Sequence, residues 1–230
     1  MEKPALDRDQ LKSARLRACL TQSQLAAKLG VSQPYLSLME RGVRRVPERM
    51  TRSAARLLNL SPAVLPVPDE PATPSGDLSR ALATLGYPGY SYLKVGRPIN
   101  PALAVFQALS QDSLDARVAQ GLPWVLLRYP ELNWGWLVSN ARWKNLQNKL
   151  GFLVAVAREV AERVGRTDSA VALAAAEQTL ETSRLTAETT LGKEAMPSSE
   201  RAWLRANRPP LAKHWNVLTS LSPDHLTYAF

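Results

Sequence analysis

Gln33, Pro34, Ser37 and Arg41 follow one another at intervals of one, three and four residues, so they share a helix face that the local apolar pattern leaves unburied. A carboxamide such as that of Gln33 can donate and accept at once, which matches N6 and N7 of adenine in a major groove. Guanidinium groups bond phosphates instead and carry no sequence information. The combination is that of a helix laid into duplex DNA. Positioning this face falls to two short helices and the turn between them. Thr21 can cap the first helix, whose Leu25, Ala26 and Leu29 lie on one side. Gly30 supplies the turn, Ser32 caps the second helix, and Leu36 and Met39 point back to the core.

The segment from about residue 11 to 65 resembles the helix-turn-helix of the phage-repressor and Cro-like family, also called the xenobiotic-response-element type. The resemblance is carried by Thr21-Gln22, Leu25-Ala26, Leu29-Gly30-Val31-Ser32, Leu36 with Met39, and Glu40-Arg41-Gly42. It implies a five-helix domain with further helices over 47–58 and 62–65. Asn59 stands where the family usually has glycine, a mild change because Asn tolerates the left-handed conformation of a helix end. Cys19 also stands at a common glycine position and reads as a small buried filler rather than a redox sensor. Ala14 replaces a larger apolar residue. Leu16 and Leu38 are apolar where the family tends to be polar, so an exposed Leu38 would pack on a second copy or on the rest of the chain.

Matched position by position, the resemblance gives each polar residue a role. Gln22 bonds a phosphate with help from the helix N-terminus, and Gln33 reads a base edge. Ser32 and Ser37 bond bases or phosphates, Pro34 touches a thymine methyl, and Arg41, Arg44 and Arg45 clamp phosphates. Outside such a motif, a surface Gln or Ser is merely solvated and arginines near a helix end merely complement its dipole. The implied partner is double-stranded DNA, bound by a homodimer because one module covers only a half-site.

Charge supports this independently. Residues 1–68 hold 12 Lys or Arg against 5 Asp or Glu, a balance of +7, whereas residues 69–230 hold 17 against 15, only +2. A polyanion partner is therefore expected for the N-terminal part alone. Glu2, Asp7 and Asp9 interrupt the N-terminal basic residues, which argues against a membrane surface. The longest uncharged apolar run, 150–157, is far shorter than the roughly 20 residues that span a bilayer. With no secretory signal at its start and a single cysteine, the chain fits a reducing, cytoplasmic setting.

At 230 residues with 45% hydrophobic content, the chain can hold two domains with ordinary cores. Prolines at 62, 66, 68, 71 and 74 mark the break between them and favour a semi-rigid spacer. The expected organisation is a DNA-binding domain over 1–66, a Pro-rich linker over 67–76, and an all-helical partner-binding or oligomerisation domain over 77–230. The fold class is all-α, the C-terminal part being a helical bundle or stacked helix pairs. Helices are expected over 77–85, 101–109, 114–127, 134–147, 149–164, 169–187 and 199–206, and 85–93 reads as an irregular aromatic loop. In the clearest helix, Leu150, Leu153, Val154, Ala157, Val160, Ala161 and Val164 hold one face, opposite Arg158, Glu159, Glu162 and Arg163.

Trp124, Trp134, Trp136 and Trp143 fall close together with Tyr129 among them, after 123 residues without a tryptophan. Such a group packs a core, anchors a protein partner, or stacks single-stranded bases; the near-neutral charge weighs against the last. Enzymatic chemistry is not expected. His214 and His225 stand without metal-ligand companions, and neither a phosphate loop nor a nucleophile elbow occurs, so no cofactor or metal is implied.

Two functions follow. One is a DNA-binding antitoxin and autorepressor whose C-terminal domain binds a toxin protein. The other is a stand-alone transcriptional repressor with a dimerising or ligand-sensing C-terminal domain. The first is suggested by the stretches Gly121–Pro130 and Asn145–Phe152. Over about residues 77–164 the chain is similar to helix-turn-helix proteins encoded beside abortive-infection nucleotidyltransferase toxins, which implies a protein toxin as partner.

Overall fold

A computed structural model describes residues 6–69 and 77–226. The chain divides into two compact units, the first ending at Asp69. Pro71, Pro74 and most of the expected linker lie outside the described residues.

The first unit comprises α1 (Arg8–Arg17), α2 (Gln22–Leu29), α3 (Gln33–Glu40), α4 (Glu48–Leu57) and a 3-10 turn at Pro62–Val64. Each of the first three helices begins at a side-chain cap. Asp7 accepts from the amide of Gln10, Thr21 from that of Gln24 and Ser32 from that of Tyr35. Gly30 ends α2 in the left-handed conformation, with φ 69°. Leu11, Leu25, Leu36 and Met39 are fully buried and form the centre of the core with Ala14, Ala54, Val64 and Leu65.

Asn59 takes the left-handed conformation that ends α4, with φ 48°. Cys19 does the same at the end of α1, with φ 53°, and its thiol is exposed, which corrects the expectation of a buried filler. The amides of Cys19 and Leu20 close the helix end on Leu16 and Arg15 carbonyls, so the chain reverses there and directs the side chain to solvent. Leu38 is half-buried, whereas Leu16 is exposed.

The second unit holds α5 (Leu78–Thr84), α6 (Pro101–Leu109), α7 (Ala116–Arg128), α8 (Trp134–Trp143), α9 (Gln147–Arg163), α10 (Thr167–Glu181), α11 (Ser198–Asn207) and α12 (Pro210–His214). The architecture is helical throughout, apart from β1 (Thr189–Thr190) and β2 (Val217–Leu218), which pair in parallel. Helices α7, α8, α10 and α12 pack around α9, and α5 and α6 extend the core on α7 and α8.

Helix α9 is not amphipathic over its whole length. Every residue from Gln147 to Ala157 is buried, and the two-faced pattern holds only from Arg158 onward. Trp215, itself fully buried, covers Gly151 so closely that a Cβ there would lie 2.2 Å from the indole ring. The polar start of α9 is buried too. Asn148 accepts from the amide of Leu185 and donates to its carbonyl, Gln147 donates to the Ser183 carbonyl, and Lys149 pairs with Glu194 at 2.9 Å. The helix expected over 169–187 therefore stops at Glu181, and 183–187 is an irregular segment whose backbone bonds the start of α9. The helix expected over 134–147 likewise breaks after Trp143, where left-handed Asn145 lets the Leu146 amide bond the Ala141 carbonyl.

Candidate nucleic-acid interface

Two residues on apolar stripes carry charge. Arg15 follows Leu11 by four positions on α1, and Glu40 follows Leu36 by four on α3; both are nearly fully buried and face each other. Arg15 donates to the two Glu40 oxygens at 2.6 and 3.0 Å and to the Leu20 carbonyl at 2.8 Å. This bidentate pair ties α1 to α3. Burial would push the Glu40 carboxyl up. Donation from Arg15 and Gln22, with the charges of Arg15 and Lys12, outweighs it and holds the group below the usual carboxylate range.

From this buried pair a chain of bonds runs outward. Gln22, half-buried at the start of α2, donates through Nε2 to Glu40 at 2.8 Å and accepts through Oε1 from Gln33 Nε2 at 2.6 Å. Two ends of that chain are therefore fixed, an ion pair in the core and an exposed carboxamide on α3. With its Nε2 committed to Gln22, Gln33 keeps its Oε1 and second N–H free of any bond within the described residues, which is the donor-acceptor pair that a base edge requires. Gln22 itself is committed twice, to Glu40 and to Gln33, with one N–H free of any bond among the described residues.

The neighbouring candidates divide. Ser32 spends its Oγ as an acceptor capping α3 at 3.4 Å, and Pro34 is exposed in the first turn. Ser37 is half-buried, and its carbonyl accepts from the Arg41 Nε at 3.3 Å. Past the helix end the Arg44 guanidinium lies over the Tyr35 ring at 5.2 Å, and Arg45 is exposed. Arg41, Arg44 and Arg45 have no carboxylate partner among the described residues. Gly42, at φ 74°, carries the turn that joins them to α3.

Residues 8–66 match the family model of a helix-turn-helix domain. The match is consistent with a Cro-like repressor domain and covers the first unit alone; neither curated proteins nor solved structures give a match. The bond chain from Arg15 to Gln33 lies within the matched residues. Sequence reasoning singled out Gln22 and Gln33 but missed Arg15 and Glu40 as the pair behind them. The signal was present: opposite charges, each on a stripe of buried positions.

The tryptophan group of the second unit divides between core and surface. Trp136 is buried edge-on against Phe106, and Tyr129 is buried with its hydroxyl donating to the Leu85 carbonyl at 2.7 Å. Both are core residues. Trp124 is half-buried between Tyr87 and Tyr129, and Trp134 is half-buried with its Nε1 donating to the Pro130 carbonyl. Only Trp143 of the five is exposed, at 64%, with Lys144 over its ring. The stretch Gln147–Lys149 is also buried against the chain itself, so it offers no surface to a partner.

His214 bonds Glu181 and His225 bonds Ser222. Among the described residues there is no metal-holding group of three or more His, Cys, Asp or Glu, and no helix long and apolar enough to cross a membrane.

Proposed function

We propose that the protein is a sequence-specific transcriptional regulator that binds operator DNA as a homodimer inside the cell. In this reading residues 1–66 form the DNA-binding domain, 67–76 a spacer and 77–230 a domain for partner binding or oligomerisation. The observation that carries it is the exposed Gln33, held by Gln22, on a helix-turn-helix surface followed by arginines with no carboxylate partner among the described residues. Gln33 reads a base, Gln22 orients it and touches a phosphate through its remaining N–H, and Pro34 packs on a thymine methyl. Ser32 and Ser37 play lesser contact roles, while Arg41, Arg44 and Arg45, past the end of α3, clamp phosphates.

Selection of duplexes from a random library tests the reading. Gln33→Ala relaxes preference at one position per half-site by about 1 to 3 kcal/mol, whereas Arg44→Ala weakens all duplexes alike and flattens the salt dependence. Equal loss on every sequence for Gln33→Ala overturns its base-reading role.

The antitoxin form of the reading adds a protein partner, and the exposure of Trp143 favours it. A stoichiometric toxin recovered with the wild-type chain and lost with Trp143→Ala supports that form. A chain that purifies alone and still represses supports the stand-alone regulator.

A further inference from the structure

The arginines of α9–α11 and the loop after α10 are largely neutralised within the second unit. Arg158 lies 2.6 Å from Glu177, Arg163 2.7 Å from Asp224, Arg184 2.8 Å from Glu181 and Arg205 2.7 Å from Glu188. The loop between α5 and α6 differs. Lys94 and Arg97 on this loop, with Arg117 in the first turn of α7, are exposed and have no carboxylate partner among the described residues; Arg80 on α5 has only a long contact of 3.8 Å to Asp77. Tyr92 and Val95 stand out from the same loop at 69% and 73% exposure.

This face is held in place. Tyr90 is buried and its hydroxyl donates to Asp115, which caps α7, while the Gly96 amide donates to Thr84 Oγ1 at 2.8 Å beside the stem of Arg80. The Arg117 guanidinium lies over the Tyr90 ring and reaches the Tyr92 hydroxyl, and the Tyr90 and Tyr92 rings are 6.3 Å apart. The carboxylates nearby, Asp77 and Asp115, are both spent on helix caps. Cations on an anchored loop, interleaved with an exposed phenol, are the means by which a surface grips a phosphate backbone at reduced cost in ordering.

We infer that Arg80, Tyr92, Lys94, Arg97 and Arg117 form a second nucleic-acid contact, which grips the backbone of duplex DNA flanking the site read by α3. The inference rests on the DNA-binding reading of the first unit. Duplex is favoured over a single strand because the face carries one exposed ring, not a row of them. Because both units belong to one chain, a duplex bound by the first raises the effective concentration of flanking backbone for the second.

The test uses the full chain, a selected duplex of about 40 base pairs and its central ~20 base pairs, enough for two half-sites. On the longer duplex Lys94→Ala/Arg97→Ala weakens binding about tenfold at ~0.1 M salt and lowers the slope of log affinity against log salt by about 2. On the shorter one it behaves as wild type. Tyr92→Ala weakens binding on the longer duplex alone, and Arg166→Ala/Lys213→Ala, which removes the same charge elsewhere, changes neither. An unchanged slope on the longer duplex, equal loss on both duplexes, or an effect confined to single-stranded oligonucleotide overturns the inference while leaving the first-unit reading intact. A wild-type chain that selects no duplex overturns both.

Discussion

Polar side chains at a helix start do opposite things in the two units. At the start of α2 and α3, Gln22 and Gln33 extend a bond chain from the buried Arg15–Glu40 pair to solvent. At the start of α9, Gln147, Asn148 and Lys149 turn inward and finish on backbone carbonyls of 183–187 and on Glu194. Both arrangements bond buried polar groups, although in the second the buried Gln147 Oε1 has no partner among the described residues. Only the first leaves a donor and an acceptor unspent at the surface, which is what the proposed recognition role requires and a structural clasp does not.

The largest expected effects lie at the inner ends of these networks. Glu40→Ala leaves the Arg15 guanidinium buried without its counter-charge and destabilises the helix-turn-helix domain by about 3 to 5 kcal/mol, read from denaturant unfolding. If Glu40→Ala instead unfolds like wild type, the pair is not the anchor of the outward chain. A replacement of both partners by apolar residues, Arg15→Met with Glu40→Leu, recovers much of the loss in stability. It does not restore sequence preference, because Gln22 then has nothing to donate to.

Asn148→Ala is the matching break in the inward network. It strips the Leu185 amide of its acceptor, while the Leu185 carbonyl keeps Asn216, and about 1 to 3 kcal/mol of the second unit's stability is expected to go. Amide exchange at Leu185 rises sharply in this variant, while DNA preference is untouched. Protection at Leu185 equal to wild type would show that the clasp is not what holds 183–187 down.

What could be read from sequence follows the range of the interactions. The helix-turn-helix was legible because caps at Thr21 and Ser32, the left-handed Gly30 and the buried stripe act within a few residues. Asn59 was read correctly for the same reason, since the strain it relieves is its own. Cys19 was misread although the glycine position was noticed: a left-handed residue at a helix end faces outward, and that geometry outweighed the apolar character of the thiol. The full burial of the first half of α9 was not legible, because it depends on Trp215, more than 60 residues on. Nor did composition reveal which of the tryptophans faces solvent, because Trp136 and Trp143 lie on the same short helix and differ only in what packs on them.

Acid separates the units by a smaller margin. Glu40 in the first unit, and Glu181, Glu188 and Glu194 in the second, are each held below the ordinary glutamate value of 4.5. Each therefore contributes stability that is fully present above that value and is lost as pH falls through it toward the lowered folded-state value. The first unit's loss is tied to Glu40, so Arg15→Met with Glu40→Leu flattens its acid limb. In the second unit Glu194→Gln leaves Glu181 and Glu188 still titrating, and the acid limb persists. Thermal unfolding between about pH 6 and pH 3 checks this. An acid limb that survives in the Arg15 and Glu40 double variant would assign the sensitivity elsewhere.

The smallest expected effect concerns Trp143, and it is the sharpest test of inward against outward within one helix. Trp136 sits against Phe106 with its ring enclosed, so Trp136→Ala opens a cavity and costs about 3 to 5 kcal/mol. Trp143, two turns later, has Lys144 over its ring at 4.4 Å and is largely exposed. Its loss changes stability within about 0.5 kcal/mol. An indole kept so exposed serves the fold little, so the cost of Trp143→Ala should appear only against a bound protein. A Trp143→Ala chain that unfolds early would place this side chain with the inward group and remove the surface argument for a partner.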